Sequence, residues 1–119
     1  MPPILRVLVV DDHAAYRDAA RKVLAADGYD VVGEAGDAAD ALRLTGTLHP
    51  DVVLLDVQLP DADGFQLARQ LVRQDAAPAV VLVSSRPRAD YGRLVERSGA
   101  RGFIDKEELS GSRLRAVLG

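Results

Sequence analysis

Short apolar segments rich in β-branched residues are the feature that most constrains the fold of this chain. Three of them are strong, at residues 5–10, 52–55 and 79–83. They lack strict apolar–polar alternation, as is typical of strands that are covered on both faces in a parallel sheet. Residues 30–34 and 101–104 are weaker strand candidates. The sequence therefore predicts five strands of a parallel sheet.

Apolar residues at helical spacing lie between these strand segments. Asp37 is placed to cap the start of the second helix, and Gly28 to end the first. The helical segments are residues 14–26, 37–44, 65–72, a thinner stripe from Tyr91 that stops at Gly99, and 110–118. Strand and helix thus alternate five times, which predicts a single α/β domain over residues 1–119, a doubly wound parallel sheet with helices on both faces.

Composition excludes several classes of function. The 119 residues are 48% apolar and carry a net charge of -3, which gives no electrostatic reason to expect nucleic-acid binding. The absence of cysteine excludes disulfides, thiolate zinc sites and cysteine nucleophiles. No apolar segment is long enough to span a bilayer, and the start lacks the features of a signal peptide. A cytoplasmic protein is the default expectation.

Polar side chains follow four of the five strand segments, at the point where each segment ends. In chain order they are Asp11 and Asp12, Asp56, Ser84 and Ser85, and Lys106. The carboxyl ends of parallel strands lie at one edge of a sheet, and ligands of open α/β sheets bind there. We therefore expect these carboxylates, hydroxyls and the ammonium group to form one site.

The chemistry of this set points to phosphoryl transfer. Carboxylates in one cleft repel each other unless a cation lies among them, and Mg²⁺ with oxygen ligands meets that need. Lys106 adds a compact positive charge. A metal ion, a lysine and a small hydroxyl can neutralise a transferring phosphoryl group. Asp56 is then a carboxylate nucleophile that forms an aspartyl phosphate.

These residues resemble the receiver domain of bacterial two-component response regulators. The resemblance rests on Asp11-Asp12, the stretch DVQLPDADG at 56–64, Ser84 and Lys106, in matching order and spacing over essentially the whole chain. It implies a flavodoxin-like (βα)5 fold with Asp56 as phosphoacceptor. It also implies Mg²⁺ (or Mn²⁺) held by Asp11, Asp12, Asp56 and the main-chain carbonyl of Val57.

The resemblance assigns further roles around the phosphoryl group. Ser84 and Lys106 would each bind a phosphoryl oxygen, and Phe103 stands at the position of the family's aromatic switch residue. Gln58 and Arg86 occupy variable positions that influence the lifetime of the phosphate. Glu107 follows the lysine where the family often has a proline in a cis peptide, so a trans bond is expected here.

The resemblance also implies partners. A sensor histidine kinase would donate the phosphoryl group, and the face made by the fourth helix, fifth strand and last helix would bind a partner or a second copy. The domain would be a signalling module rather than an enzyme, with neither membrane nor nucleic acid as its own partner. Some relatives carry a helix-turn-helix output domain, which could bind DNA. The sequence leaves open whether the reading frame continues past Gly119.

The same residues also allow other interpretations. Asp12 could simply cap the first helix, Phe103 could belong to the core, and His13 is expected to face solvent. A phosphatase of the haloacid dehalogenase type uses similar residues, but it needs an acid two residues after the nucleophile, where this chain has Gln58. A degenerate receiver that acts only as a docking module is the second alternative.

Overall fold

The computed structural model describes residues 3–119, in which five parallel strands form one sheet in the order β2-β1-β3-β4-β5. The strands are β1 (Arg6–Val10), β2 (Asp30–Ala35), β3 (Val52–Asp56), β4 (Ala79–Ser84) and β5 (Gly102–Asp105). The strand order reverses between β1 and β3, which places a topological switch point at their carboxyl ends. The prediction of a doubly wound, flavodoxin-like sheet is confirmed.

Within the part of the chain that the structure describes, five α-helices connect and cover the strands. They are α1 (Ala14–Ala26), α2 (Ala38–Leu48), α3 (Gly64–Val72), α4 (Leu94–Arg97) and α5 (Gly111–Leu118). Short 3₁₀ turns at Arg88–Tyr91 and Lys106–Glu108 precede α4 and α5. Helices α1 and α5 pack on one face of the sheet, and α2, α3 and α4 pack on the other.

Alternate residues along each strand supply the two halves of the core. In β1, Leu8 and Val10 face the α2–α3–α4 side, whereas Val7 and Val9 face the α1–α5 side. All four side chains are buried. Since both faces of a strand are covered, its sequence is apolar without interruption. The strands are therefore visible in the sequence as continuous apolar segments.

Side-chain caps fix where three of the helices begin. Asp37 accepts a hydrogen bond from Asp40 N–H (2.8 Å), and Ser110 accepts one from Arg113 N–H (3.0 Å). Asp63 accepts from Phe65 N–H (2.7 Å), which starts α3 soon after β3. Each cap satisfies an N–H group that has no partner within its own helix. The short connections keep the polar residues close to the sheet edge.

The fourth helix differs from the sequence-based expectation. The stripe from Tyr91 to Gly99 predicted one continuous helix, but the structure has a 3₁₀ turn ending at Tyr91, then Gly92 with φ of 56°, and a single helical turn at α4. Gly92 adopts a left-handed conformation that interrupts a right-handed helix. The second helix also extends beyond the predicted residue 44, to Leu48.

The other predicted boundaries agree with the structure to within one or two residues, and every peptide bond of residues 3–119, including Lys106–Glu107, is trans. The prediction that the start of the chain lacks a signal peptide concerns its first residues, and residues 1 and 2 lie outside this range. Within residues 3–119, no helix combines the length and apolar character needed to cross a membrane.

Candidate functional site

Asp56 ends the central strand β3 and is 4% exposed. Its Oδ1 accepts a hydrogen bond from Gln58 N–H (3.1 Å), and its Oδ2 lies 3.1 Å from Lys106 Nζ. The main chain continues the sheet by one residue, since Val57 N–H donates to Val83 O (3.1 Å). The strand ladder therefore holds the carboxylate at the sheet edge.

Asp11 is fully buried beside it, directly after β1. Its N–H donates to Ala35 O at the end of β2 (3.0 Å). Its carbonyl accepts a hydrogen bond from the guanidinium of Arg17 (2.6 Å), which also reaches Glu34 (3.2 Å). Both backbone groups of Asp11 are thus held by neighbouring elements, a role of Arg17 that the sequence did not suggest.

Lys106 joins the two buried carboxylates. Its Nζ lies 2.5 Å from Asp11 Oδ2 and 3.1 Å from Asp56 Oδ2, and its side chain is only 14% exposed. The ammonium also lies 4.6 Å from the ring centroid of Tyr16, a cation–π contact. Lysine is a compact, flexible cation, so it can bridge two acids that come from different strands.

The two carboxylates have opposite pKa shifts. Burial on its own would raise the pKa of Asp11, but hydrogen bonds from Lys106 and His13 outweigh it and hold that pKa below its ordinary value. Burial and repulsion from Asp11 raise the pKa of Asp56 despite its hydrogen bonds. The pKa of Lys106 is raised because its bonds to both acids outweigh the effect of burial. The site therefore favours added positive charge near Asp56.

Asp12 and His13 complete the acidic cluster. One donor atom from each of Asp11, Asp12, His13 and Asp56 can be chosen so that these four atoms lie within 4.8 Å of one another. Asp12 does not cap α1: the capping position is His13, which makes no side-chain capping bond. Carboxylate oxygens at this density suit a divalent cation, so the residues fit the expected metal site.

The sequence predicts that His13 faces solvent. Its side chain is 69% exposed, yet its Nδ1 lies 3.1 Å from Asp11 Oδ1 and 3.0 Å from Asp12 Oδ1. The sequence signal for this contact is the position of His13 directly after two acids at the end of a strand. The expectation was therefore right about exposure and missed the contact.

Ser84 ends β4, and its hydroxyl points to a partner that the sequence did not reveal. Its Oγ lies 2.6 Å from the hydroxyl of Tyr91 and accepts a hydrogen bond from Arg86 N–H (3.0 Å). The Tyr91 ring packs against Phe103 (centroids 5.9 Å apart) and edge-on against Phe65 (5.3 Å). Tyr91 thus stands between the two residues of the expected switch.

The remaining expected residues contribute mainly through their main chain. Gln58 and Arg86 have exposed side chains, but their N–H groups bind Asp56 and Ser84. The Val57 carbonyl accepts a hydrogen bond from Gly64 N–H (2.9 Å), so one of its two lone pairs is used within the protein. Ser85, the other serine after β4, is exposed.

Gly64 allows the loop after Asp56 to fold back on itself. A Cβ built at Gly64 would collide with the main-chain oxygen of Asp56 and would lie 2.6 Å from Val57 Cα. Asp61, in the same loop, accepts hydrogen bonds from Ala38 N–H (2.8 Å) and Ala39 N–H (3.1 Å) at the start of α2. The loop is therefore held in two places, by the close packing of Gly64 on the end of β3 and by the bonds of Asp61 to α2.

An acidic cluster and a bridging lysine lie at the carboxyl edge of this doubly wound sheet, where ligands of open α/β sheets bind. The family model described as "Response regulator receiver domain" matches residues 7–118, and the chain belongs to that family. Receiver domains are signalling modules that interact with histidine kinases. Membership of this family therefore does not support the two alternatives, a phosphatase or a degenerate docking module.

Curated relatives are longer than this chain. A protein-glutamate methylesterase/protein-glutamine glutaminase of Anaeromyxobacter dehalogenans is 44% identical over 108 residues, covering 90% of this chain and 31% of that protein. Transcriptional regulatory protein PdtaR of Mycobacterium tuberculosis is 38% identical over 104 residues, covering 85% of this chain and 49% of that protein. The chain thus spans half or less of the length of these two relatives.

Solved structures agree with the assignment. The signal receiver domain of NarL from Mycobacterium tuberculosis superposes with a TM-score of 0.84 at 32% identity, covering 99% of each chain. The response regulator domain of CheB from Thermotoga maritima gives a TM-score of 0.78 at 27% identity, covering 98% of this chain and 90% of that one. The similarity extends over the whole βα repeat and not only over the strand ends.

Proposed function

We propose that Asp56 accepts a phosphoryl group from the phosphohistidine of a sensor histidine kinase. An oxygen of the Asp56 carboxylate would form the new bond to phosphorus, while the bond between phosphorus and the histidine nitrogen breaks. The observation that carries this proposal is the Lys106 ammonium, which lies 2.5 Å from Asp11 and 3.1 Å from Asp56. It supplies positive charge beside Asp56, a buried carboxylate whose pKa is raised by burial.

Each residue of the site has a defined part in the proposal. Asp11, Asp12 and Asp56 hold Mg²⁺ or Mn²⁺, with the second lone pair of the Val57 carbonyl as a further donor. The ion, when bound, supplies charge neutralisation on the phosphoryl oxygens. Lys106 binds one phosphoryl oxygen through its ammonium group. The Ser84 hydroxyl binds another.

Phosphorylation would be read out through the aromatic residues behind Ser84. A Ser84 hydroxyl that turns toward the phosphoryl group has to change its contact with Tyr91, which packs on Phe103. We propose that Phe103 then reorients and alters the face formed by α4, β5 and α5. That face would bind a second copy of the domain or an output partner.

The output itself lies outside this domain. Its net charge of -3 and its acidic site give no electrostatic reason to expect that it binds nucleic acid. We propose that it acts as a regulatory module, not as an enzyme, in the cytoplasm, and controls an activity carried by another domain or another protein. Gln58 and Arg86 border the site, and their side chains would set the lifetime of the phosphate.

Incubation with Mg²⁺ and acetyl phosphate tests the proposal directly. We expect the intact mass to rise by one phosphoryl group, and peptide mapping after borohydride reduction to place the modification at Asp56. The matched control is Asp56→Asn, which keeps the shape of the side chain and lacks the nucleophile. Label that persists in this variant would place the acceptor elsewhere, and an unlabelled wild-type protein would refute the proposal.

A further inference from the structure

His13 adds a nitrogen donor to an otherwise all-oxygen cluster. Its Nδ1 faces one carboxylate oxygen of Asp11 (3.1 Å) and one of Asp12 (3.0 Å). Its own N–H donates to the same oxygen of Asp11 (2.8 Å), which fixes the backbone at the start of α1 beside the cluster. The imidazole is therefore held against the two acids by the chain itself.

The spacing of these atoms matches neighbouring ligands of one metal ion. Two ligands at right angles, each about 2.1 Å from an octahedral ion, lie about 3.0 Å apart. The distances from His13 Nδ1 to the oxygens of Asp11 and Asp12 are 3.1 and 3.0 Å. Asp56 belongs to the same group, since one donor atom of each residue lies within 4.8 Å of the others. Small adjustments of these side chains would bring one donor atom of each residue to a single ion.

The His13 ring contacts the two acids and is open to solvent. A bound ion would replace the hydrogen bond between His13 Nδ1 and Asp11 Oδ1 (3.1 Å). The ring makes no capping hydrogen bond to α1, although His13 occupies the capping position. Its side chain is 69% exposed, so a hydrated ion can approach it from solvent. Asp11, by contrast, is fully buried and anchors the inner side of the site.

We propose that His13 Nδ1 ligates the divalent ion of this site and shifts its preference from Mg²⁺ toward ions that bind imidazole. Mg²⁺ takes oxygen ligands, whereas Co²⁺, Ni²⁺ and Zn²⁺ bind imidazole nitrogen well. His13 is thus a residue that determines metal specificity. The inference rests on the proposed function only in that both use the same acidic cluster.

A competing explanation makes the opposite prediction. A protonated His13 would act as a counter-ion of Asp11 and Asp12 and would compete with any cation. Its removal would then strengthen the binding of Mg²⁺ and Co²⁺ by similar factors. Under our proposal its removal weakens Co²⁺ binding and has little effect on Mg²⁺.

Calorimetric titration of unphosphorylated protein with Mg²⁺ and with Co²⁺ distinguishes His13 as a metal ligand from His13 as a counter-ion. We expect His13→Ala to weaken Co²⁺ binding at least about tenfold and to change Mg²⁺ affinity less than about threefold. The control is His49→Asn, which removes the other histidine at the left-handed end of α2, a conformation that asparagine tolerates. His13→Gln is a second test variant, which keeps a polar side chain at the start of α1.

Pulsed electron paramagnetic resonance of bound Mn²⁺ provides a direct readout. Modulation from a coordinated nitrogen is expected in the wild type and in His49→Asn, and should be lost in His13→Ala and His13→Gln. Absence of nitrogen modulation in the wild type would overturn the proposal, as would equal changes in Mg²⁺ and Co²⁺ affinity. These titrations use no phosphodonor, so their result is independent of whether Asp56 becomes labelled.

Discussion

The hydroxyl groups of Ser84 and Tyr91 lie 2.6 Å apart, within a strong hydrogen bond. Ser84 also accepts from Arg86 N–H, so its hydroxyl has two protein partners before any phosphoryl group is present. Ser84 is 3% exposed, and water cannot readily replace a lost partner. Breaking the hydrogen bond between Ser84 and Tyr91 would therefore add to the free energy that Ser84 needs to turn toward a phosphoryl group.

The first prediction concerns Tyr91→Phe, which removes the hydroxyl and keeps the ring against Phe65 and Phe103. A typical hydrogen bond contributes about 1 kcal/mol. If the bond must break when Ser84 turns to a phosphoryl oxygen, its loss in advance should raise affinity for the phosphoryl mimic beryllofluoride about fivefold. Fluorine NMR titration in Mg²⁺ measures this, and an unchanged or weaker affinity would show that the bond persists in the phosphorylated state.

The second prediction concerns Lys106→Met, which removes the charge and keeps a chain of similar length. Two buried carboxylates lose their shared partner, and breaking such a pair is expected to cost about 3 kcal/mol of unfolding free energy at neutral pH without metal. Lys22→Met is the control, because Lys22 pairs with Asp18 at a distance of 3.0 Å on the exposed surface. Loss of an exposed pair should cost under about 1 kcal/mol.

The pH dependence of the Lys106 effect has a definite sign. The pKa of Asp11 lies below its ordinary value, so its ion pair stabilises the fold above that ordinary value and is lost as the pH falls through the folded value. The raised pKa of Lys106 keeps it charged throughout this range. The urea stabilities of wild type and Lys106→Met should therefore converge in acid. A constant difference down to the acid limit would mean that Lys106 acts through packing.

The sequence was sufficient for the sheet and for the positions of its polar ends. Continuous apolar strands have one plausible setting, a sheet covered on both faces, and the residue after each strand must then lie at the same edge. This topology predicts that Asp11, Asp56 and Lys106 lie together, and the structure brings them within bonding distance. The expected chemistry of the cluster depends on the parallel arrangement of the strands, which brings these residues to one edge, more than on the identity of any single residue.

Other contacts could not be derived because they depend on side-chain direction. The partnership of Tyr91 with Ser84 requires the chain to turn at Gly92, whose left-handed conformation also broke the predicted fourth helix. Arg17 reaches the Asp11 carbonyl from one turn into α1. In the sequence, Tyr91 belongs to an apolar stripe, and Arg17 is one of several charged residues in the first helix. Only three-dimensional placement distinguishes these roles.

The third prediction concerns Gly64→Ala. The added Cβ would meet main-chain atoms of Asp56 and Val57, which cannot rotate away as a side chain could. We expect a loss of about 2 kcal/mol in unfolding free energy and slower labelling of Asp56, since its backbone must shift. The matched control is Gly46→Ala in α2, where nothing lies within 4 Å of the added atom.

Replacing Gly46 should have the opposite effect on stability. Alanine is favoured over glycine inside a helix by about 0.5–1 kcal/mol, and Gly46 is exposed. Chemical denaturation of the two variants therefore separates crowding from the general effect of replacing glycine. Equal stability changes at the two positions would contradict the crowding argument.

The last prediction concerns the electrostatic cost of Asp56 itself. Burial and the charge of Asp11 raise its pKa, so the folded state favours the protonated acid and loses stability as the pH rises from the ordinary aspartate value through the raised one. Asp56→Asn, which can still accept the Gln58 N–H, should therefore be more stable than wild type at neutral pH in the presence of a chelator. Added Mg²⁺ should reverse the order, because an ion at about one hundred times its dissociation constant stabilises the wild type by about 2.7 kcal/mol and binds the variant less tightly. Thermal unfolding with chelator and then with Mg²⁺ measures both differences. A wild type that is the more stable protein under both conditions would show that Lys106 alone is enough to offset the buried charge.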